Sequence, residues 1–98
     1  MIQLNEISQS TKSTIFHIFE RDGMTRDTVG TCVAGLAAEA LIKQGTITEQ
    51  QARNDEDEET ITKILIEANS NKKAYEKLVL QVYLHAVADD HIDIALGI

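Results

Sequence analysis

The sequence predicts an all-α fold, a single small bundle of five or six helices that residues 1–98 form around a central helix at about 26–44. Two observations support this prediction. Apolar residues recur at steps of three and four along most of the chain, which places them on one side of a helix. The chain also contains no proline, the residue that interrupts helices most strongly.

The central helix is predicted from residues 29–41, which read VGTCVAGLAAEAL. One side carries the larger apolar residues Val29, Cys32, Val33, Leu36, Ala40 and Leu41. The other side carries small residues every four positions, at Gly30, Ala34 and Ala38. Because small side chains let another helix approach closely, we expect both sides of the central helix to be covered. Cys32 is the only cysteine, so no intramolecular disulfide can form, and its position predicts a buried thiol.

The helices on either side of the central helix follow from their periodicity and from capping residues. A first helix is predicted from about Asn5 to Arg21, with Gly23 in the left-handed conformation beyond its end. Thr25 is expected to cap the central helix and Gly45 to end it. Later helices are predicted after a capping box at Thr48, around the apolar stripes 61–68 and 75–86, and in a short last segment that ends at Gly97.

The charge balance is acidic, with 16 Asp and Glu against 9 Lys and Arg and a formal net charge of −7. Direct binding of nucleic acid is therefore not expected, because its affinity comes largely from basic residues that neutralise phosphates. No uninterrupted apolar stretch reaches the length of about 18 residues that spans a membrane, and residues 1–10 do not resemble a secretory signal. We expect a cytoplasmic protein.

Five consecutive carboxylates form the most conspicuous polar feature of the chain: Asp55, Glu56, Asp57, Glu58 and Glu59. They repel one another, so they need solvent, a helix N-terminus, a cation or a basic partner. One interpretation is that they only begin the next helix, where negative charge is favourable. The other is that they bind a basic partner protein. Their spacing does not match a calcium-binding EF-hand loop.

A second hypothesis concerns metal. Glu56 with Glu59, and Asp90 with Asp93, are acidic pairs three residues apart, a spacing that can hold a divalent cation. Glu56 and Glu59 resemble the first acidic pair of the helical nucleotide pyrophosphohydrolases. That resemblance implies metal-dependent hydrolysis of a phosphorylated small molecule. The alternative is that Asp89 or Asp90 caps a last short helix that ends at Gly97.

The leading functional hypothesis is a small acidic binding protein that inhibits or neutralises a basic partner protein, as immunity proteins, antitoxins and phage-encoded inhibitors do. It predicts no catalytic residues, no metal and no cofactor, and it places the partner on residues 55–59. The metal-dependent hydrolase is the first alternative. The second is a structural or assembly subunit that buries an apolar face in a homo-oligomer.

Overall fold

The computed structural model describes residues 2–54 and 56–88, and most of these residues lie in helices. A 3₁₀ helix spans Leu4–Glu6, and the α-helices are α1 (Gln9–Asp22), α2 (Arg26–Gln44), α3 (Glu49–Arg53), α4 (Glu58–Ser70) and α5 (Lys72–Ala88). The described residues contain no strand. The prediction of an all-α bundle around a helix at 26–44 is confirmed. The short helix predicted to end at Gly97 lies outside the described residues.

The central position of α2 explains its composition. α1, α4 and α5 all pack against it. Its larger apolar residues face the core, and Leu36 and Ala37 have no exposed surface. Cys32 is buried in the same cluster, and this burial raises the pKa of its thiol to about 11. The prediction of a buried thiol is therefore confirmed.

The small-residue side of α2 differs from the prediction. Gly30 is exposed, and Ala34 and Ala38 are only half-buried. A methyl group added at Gly30 would meet no atom within 4 Å. The expectation that both sides of α2 are covered is therefore wrong near Gly30. The reason is that α4 and α5 contact α2 much more extensively than they contact each other, so the surface between them stays open.

The beginning of α1 also differs from the predicted helix that starts near Asn5. Ile7 is extended and buried, and Ser8 caps α1 by accepting a hydrogen bond from the Thr11 backbone N–H at 3.2 Å. The Ser8 backbone N–H donates to Oε1 of Glu39 in α2 at 3.1 Å. The predicted helix is therefore interrupted between the 3₁₀ helix and α1. The extended Ile7 at this interruption packs in the core.

The caps of α2 and α3 follow the sequence. Thr25 caps α2 and Thr48 caps α3, each as part of a capping box. Gly45 ends α2 in the left-handed conformation, with φ 78° and ψ 11°. Gly23 has the expected positive φ of 79°, but its ψ of 171° lies outside the left-handed helical region. Met24 follows it and is 47% exposed.

A hydrogen-bonded cluster fixes the junction between α4 and α5. Oε1 of Glu67 accepts from the Tyr75 hydroxyl at 2.7 Å and from the Asn71 side-chain amide at 3.1 Å. Burial, and then the Glu67 carboxylate, raise the pKa of Tyr75. Because Tyr75 is buried in the core, this cluster ties the end of α4 to the position of α5.

Candidate protein-binding surface

The acidic run lies at the beginning of α4. Asp55 lies outside the described residues, and Glu56 is exposed in the turn before the helix. Asp57 is the N-cap, and Glu58 and Glu59 occupy the first turn. The interpretation of the run as a helix start therefore holds for its last three residues. Negative charge at this end also complements the positive end of the helix dipole.

Asp57 is engaged within the fold. Its Oδ1 accepts from the Thr60 backbone N–H at 3.3 Å, and its Oδ2 accepts from the Thr60 hydroxyl at 2.6 Å. These hydrogen bonds lower the pKa of Asp57, because they stabilise the carboxylate. Thr60 itself is buried. Asp57 thus holds the start of α4 and has little freedom to reorient toward a ligand.

The neighbouring glutamates are available to solvent. Glu56, Glu58 and Glu59 are all exposed. Glu59 pairs with Lys63 one turn later at 3.3 Å, and such an exposed pair contributes only about 0 to 1 kcal/mol. Within the described residues, the side chains of Glu56 and Glu58 make no hydrogen bond or ion pair. These three carboxylates form the exposed part of the acidic run.

The proposed metal ligands can be compared only in part. Glu56 and Glu59 flank the start of α4, whereas Asp90 and Asp93 lie outside the described residues. Across residues 2–54 and 56–88, no group of three or more His, Cys, Asp or Glu side chains is placed to hold a metal ion. Convergence of the two acidic pairs therefore stays a prediction.

An apolar groove lies between α4 and α5, with α2 as its floor. We call it the α2–α4–α5 groove, and its volume is about 610 Å³. Its floor and walls consist mainly of small and apolar residues, which are Val29, Gly30, Val33, Ala34, Leu65, Ala68 and Leu80. Polar and charged residues line its end beside the start of α2 and the junction of α4 with α5, and they include Arg26, Asn69, Lys72 and Glu76.

Exposed apolar side chains extend beyond the groove. Leu65 on its α4 wall is 54% exposed, and Leu84 on α5 is 57% exposed. Met24 and Leu80, which line the groove, are also exposed, as are Ile61, Ile66 and Val87, which lie outside it. An apolar groove with exposed walls is typical of interaction sites, whereas single exposed apolar residues are ordinary.

This surface was not predicted from the sequence. Ile64 and Leu65 both belong to the predicted apolar stripe at 61–68, but only Ile64 packs against the core, and Leu65 is largely exposed. One signal was present. Leu80, Leu84 and Val87 recur at steps of four and three, which makes a second stripe on α5 beside the buried stripe that contains Val79. A helix with two apolar stripes has more apolar surface than one core requires.

Comparisons with protein-family models, with curated proteins and with solved structures found no match. Within the described residues, no helix combines the length and the apolar character needed to cross a membrane.

Proposed function

We propose that this chain is a small acidic binding protein that inhibits or neutralises a basic partner protein. The observation that carries the proposal is the exposed part of the acidic run, where Glu56, Glu58 and Glu59 gather at one end of α4. Only Asp57, among the described members of the run, is committed to capping. The remaining carboxylates add to the negative electrostatic potential of a chain with net charge −7, and this potential attracts positively charged proteins.

The physical role of such a cluster is to guide encounter. Each exposed ion pair contributes only about 0 to 1 kcal/mol to affinity, but several like charges together raise the association rate of an oppositely charged protein. Binding of the basic partner should therefore weaken as salt concentration rises, because salt screens exposed charges. A cytoplasmic location is part of this proposal, in keeping with a single buried thiol and no possible internal disulfide.

The test begins with capture of the partner. The tagged full chain is used at low salt to isolate bound proteins from a lysate of the source organism, and a captured basic protein is purified. Association and dissociation rates are then measured for the parent chain and for the variant with Glu56→Gln and Glu59→Gln. We expect this variant to slow association more than it speeds dissociation, since steering acts on encounter.

The matched control carries Glu20→Gln and Asp27→Asn. Both variants remove two exposed carboxylates, one of them from the first turn of a helix, and both change the net charge from −7 to −5. The control should therefore associate nearly as fast as the parent chain. Equal association rates for the parent and the Glu56 and Glu59 variant at low salt would remove this role for the acidic run.

A further inference from the structure

We propose that two copies of this chain form a symmetric dimer in which their α4 helices pair antiparallel, each lying in the α2–α4–α5 groove of the other. The dimer is a self-complementary two-fold arrangement, so the same surface of each copy supplies both sides of the interface. The proposal needs no basic partner and rests on the shape and the apolar lining of this groove and on the charges of the groove and of Glu58, which it assigns to the dimer contact.

The shape of the groove fits a helix. Its floor at Gly30 and Ala34 lacks large side chains, and a methyl group added at Gly30 would meet no atom within 4 Å. Small residues of this kind let the backbone of a second helix approach closely. Leu65 projects from the α4 wall with 54% of its surface exposed, so it can contact the α4 helix of a second copy. Pairing would thus bury surface that the single chain leaves in water.

The charges select the antiparallel orientation. Glu58 precedes Leu65 by seven residues on α4, an interval that brings two side chains to nearly the same helical face. The groove itself is lined, beside the end of α4, by Arg26 and Lys72, with Glu76 as the one acidic residue among the residues that line it. Neither Arg26 nor Lys72 makes an ion pair within the described part of the chain. This end of the groove is therefore net positive.

A two-fold axis at Leu65 brings these opposite charges together. Glu58 lies seven positions before Leu65 on α4, roughly 10 Å from the axis at about 1.5 Å of rise per residue. Lys72 is the first residue of α5 and follows the end of α4 after the single residue Asn71, so antiparallel pairing places Glu58 of one copy near the partner's Lys72. The same contact occurs twice in the dimer, and Leu65 meets its own counterpart. A parallel arrangement would instead place the two Glu58 residues side by side.

The first experiment measures the mass of the full chain by sedimentation velocity across a range of protein concentrations. We expect the parent chain to sediment as a dimer and Leu65→Glu as a monomer. Leu84→Glu is the matched control, because Leu84 is 57% exposed on α5 and does not line the groove, and this variant should remain dimeric. Circular dichroism checks that both variants fold. A monomeric parent chain, as expected if the groove instead receives a helix of another protein, would overturn the proposal.

The second experiment exchanges the charges. Glu58→Lys or Lys72→Glu alone should raise the dimer dissociation constant roughly tenfold at low salt, because two symmetric contacts become repulsive. The double variant with both changes should recover most of the lost affinity, since the opposite charges face each other again. A double variant that associates no better than either single one would show that these residues do not meet.

The third experiment locates the axis. Leu65→Cys should form a disulfide-linked dimer rapidly on mild oxidation, because a residue on a two-fold axis lies beside its own counterpart. Leu84→Cys should not, and the parent chain should not, since Cys32 is buried. Equal cross-linking at positions 65 and 84 would contradict pairing through α4.

Discussion

At the scale of single residues, Gly30 and Gly35 show how α2 combines a buried stripe with free surface. Both are exposed helical residues, and a methyl group added at either would meet no atom within 4 Å. Neither has a positive φ, so neither position requires glycine for its backbone conformation. Glycine in a helix interior costs stability relative to alanine, because glycine loses more backbone freedom on folding.

We therefore expect Gly35→Ala and Gly30→Ala each to raise the free energy of unfolding by about 0.5 to 1 kcal/mol, when urea denaturation is followed in dilute solution where the chain is monomeric. The two positions are controls for each other, because only Gly30 lines the α2–α4–α5 groove. A destabilised Gly30→Ala chain beside a stabilised Gly35→Ala chain would mean that another helix already lies close to Gly30 within the monomer.

Caps were the residues that the sequence predicted best. Thr25, Gly45 and Thr48 act on backbone groups within a few positions, so the neighbouring sequence suffices to recognise them. Ser8 was missed because a second residue far along the chain reinforces its role. Glu39 in α2 accepts a hydrogen bond from the Ser8 backbone N–H, and a local sequence pattern cannot predict a contact between residues 31 positions apart.

At the scale of elements, the N-cap of α4 makes the stability of the helix depend on pH. Asp57 caps it through Thr60, and the folded-state pKa of Asp57 lies below its ordinary value of 3.8. The stabilising contribution of this carboxylate is therefore fully present above the unfolded-state pKa, and it is lost as pH falls through the lower folded-state pKa. The cap should weaken only in acid.

We expect Asp57→Ala to melt at a lower temperature than the parent chain at neutral pH, because the Thr60 backbone N–H loses its acceptor. Asp57→Asn keeps an oxygen acceptor and should melt close to the parent at neutral pH. Below about pH 4 the difference between the parent and Asp57→Asn should shrink further, since the parent carboxyl becomes protonated. Thermal melts of the three chains from neutral to acidic pH check this. An Asp57→Ala chain that melts like the parent would contradict the capping role.

Periodicity predicted α4 and α5 as helices but could not say which residues each neighbour covers. Ile64 and Leu65 are adjacent apolar residues, and only the position of α2 decides that Ile64 packs on the core while Leu65 stays exposed. The wall of the groove therefore follows from the packing of three helices rather than from any one stripe. The exposed part of the acidic run was easier to predict, because charge density is a local property.

At the scale of the whole molecule, the all-α class and the extent of α2 were predicted from the absence of proline and from the spacing of apolar residues at steps of three and four. The radius of gyration is 13.0 Å, close to the value of about 13 Å expected for a folded domain of about 100 residues. The open side of α2 was not predicted, because its small residues were interpreted as a buried ridge. Small residues permit close packing, but they do not supply the helix that would pack there.

Added metal ions test the hydrolase alternative on the intact molecule. A cation that binds only the folded chain raises its melting temperature by mass action. Because no group of three or more possible ligand side chains is placed to hold a metal ion among the described residues, we expect no increase with millimolar Mg²⁺, Mn²⁺ or Ca²⁺ relative to chelator. An increase that disappears in the variant with Asp90→Asn and Asp93→Asn would instead support a site between the two acidic pairs.

The burial of Cys32 gives the chain an intrinsic reporter of core opening. Its thiol is inaccessible, and a pKa near 11 leaves almost no reactive thiolate at neutral pH in the closed state. When α2 separates from its neighbours, the thiol meets solvent and returns toward ordinary reactivity. The rate at which an alkylating reagent modifies the parent chain thus measures how often the centre of the bundle opens, without any engineered label.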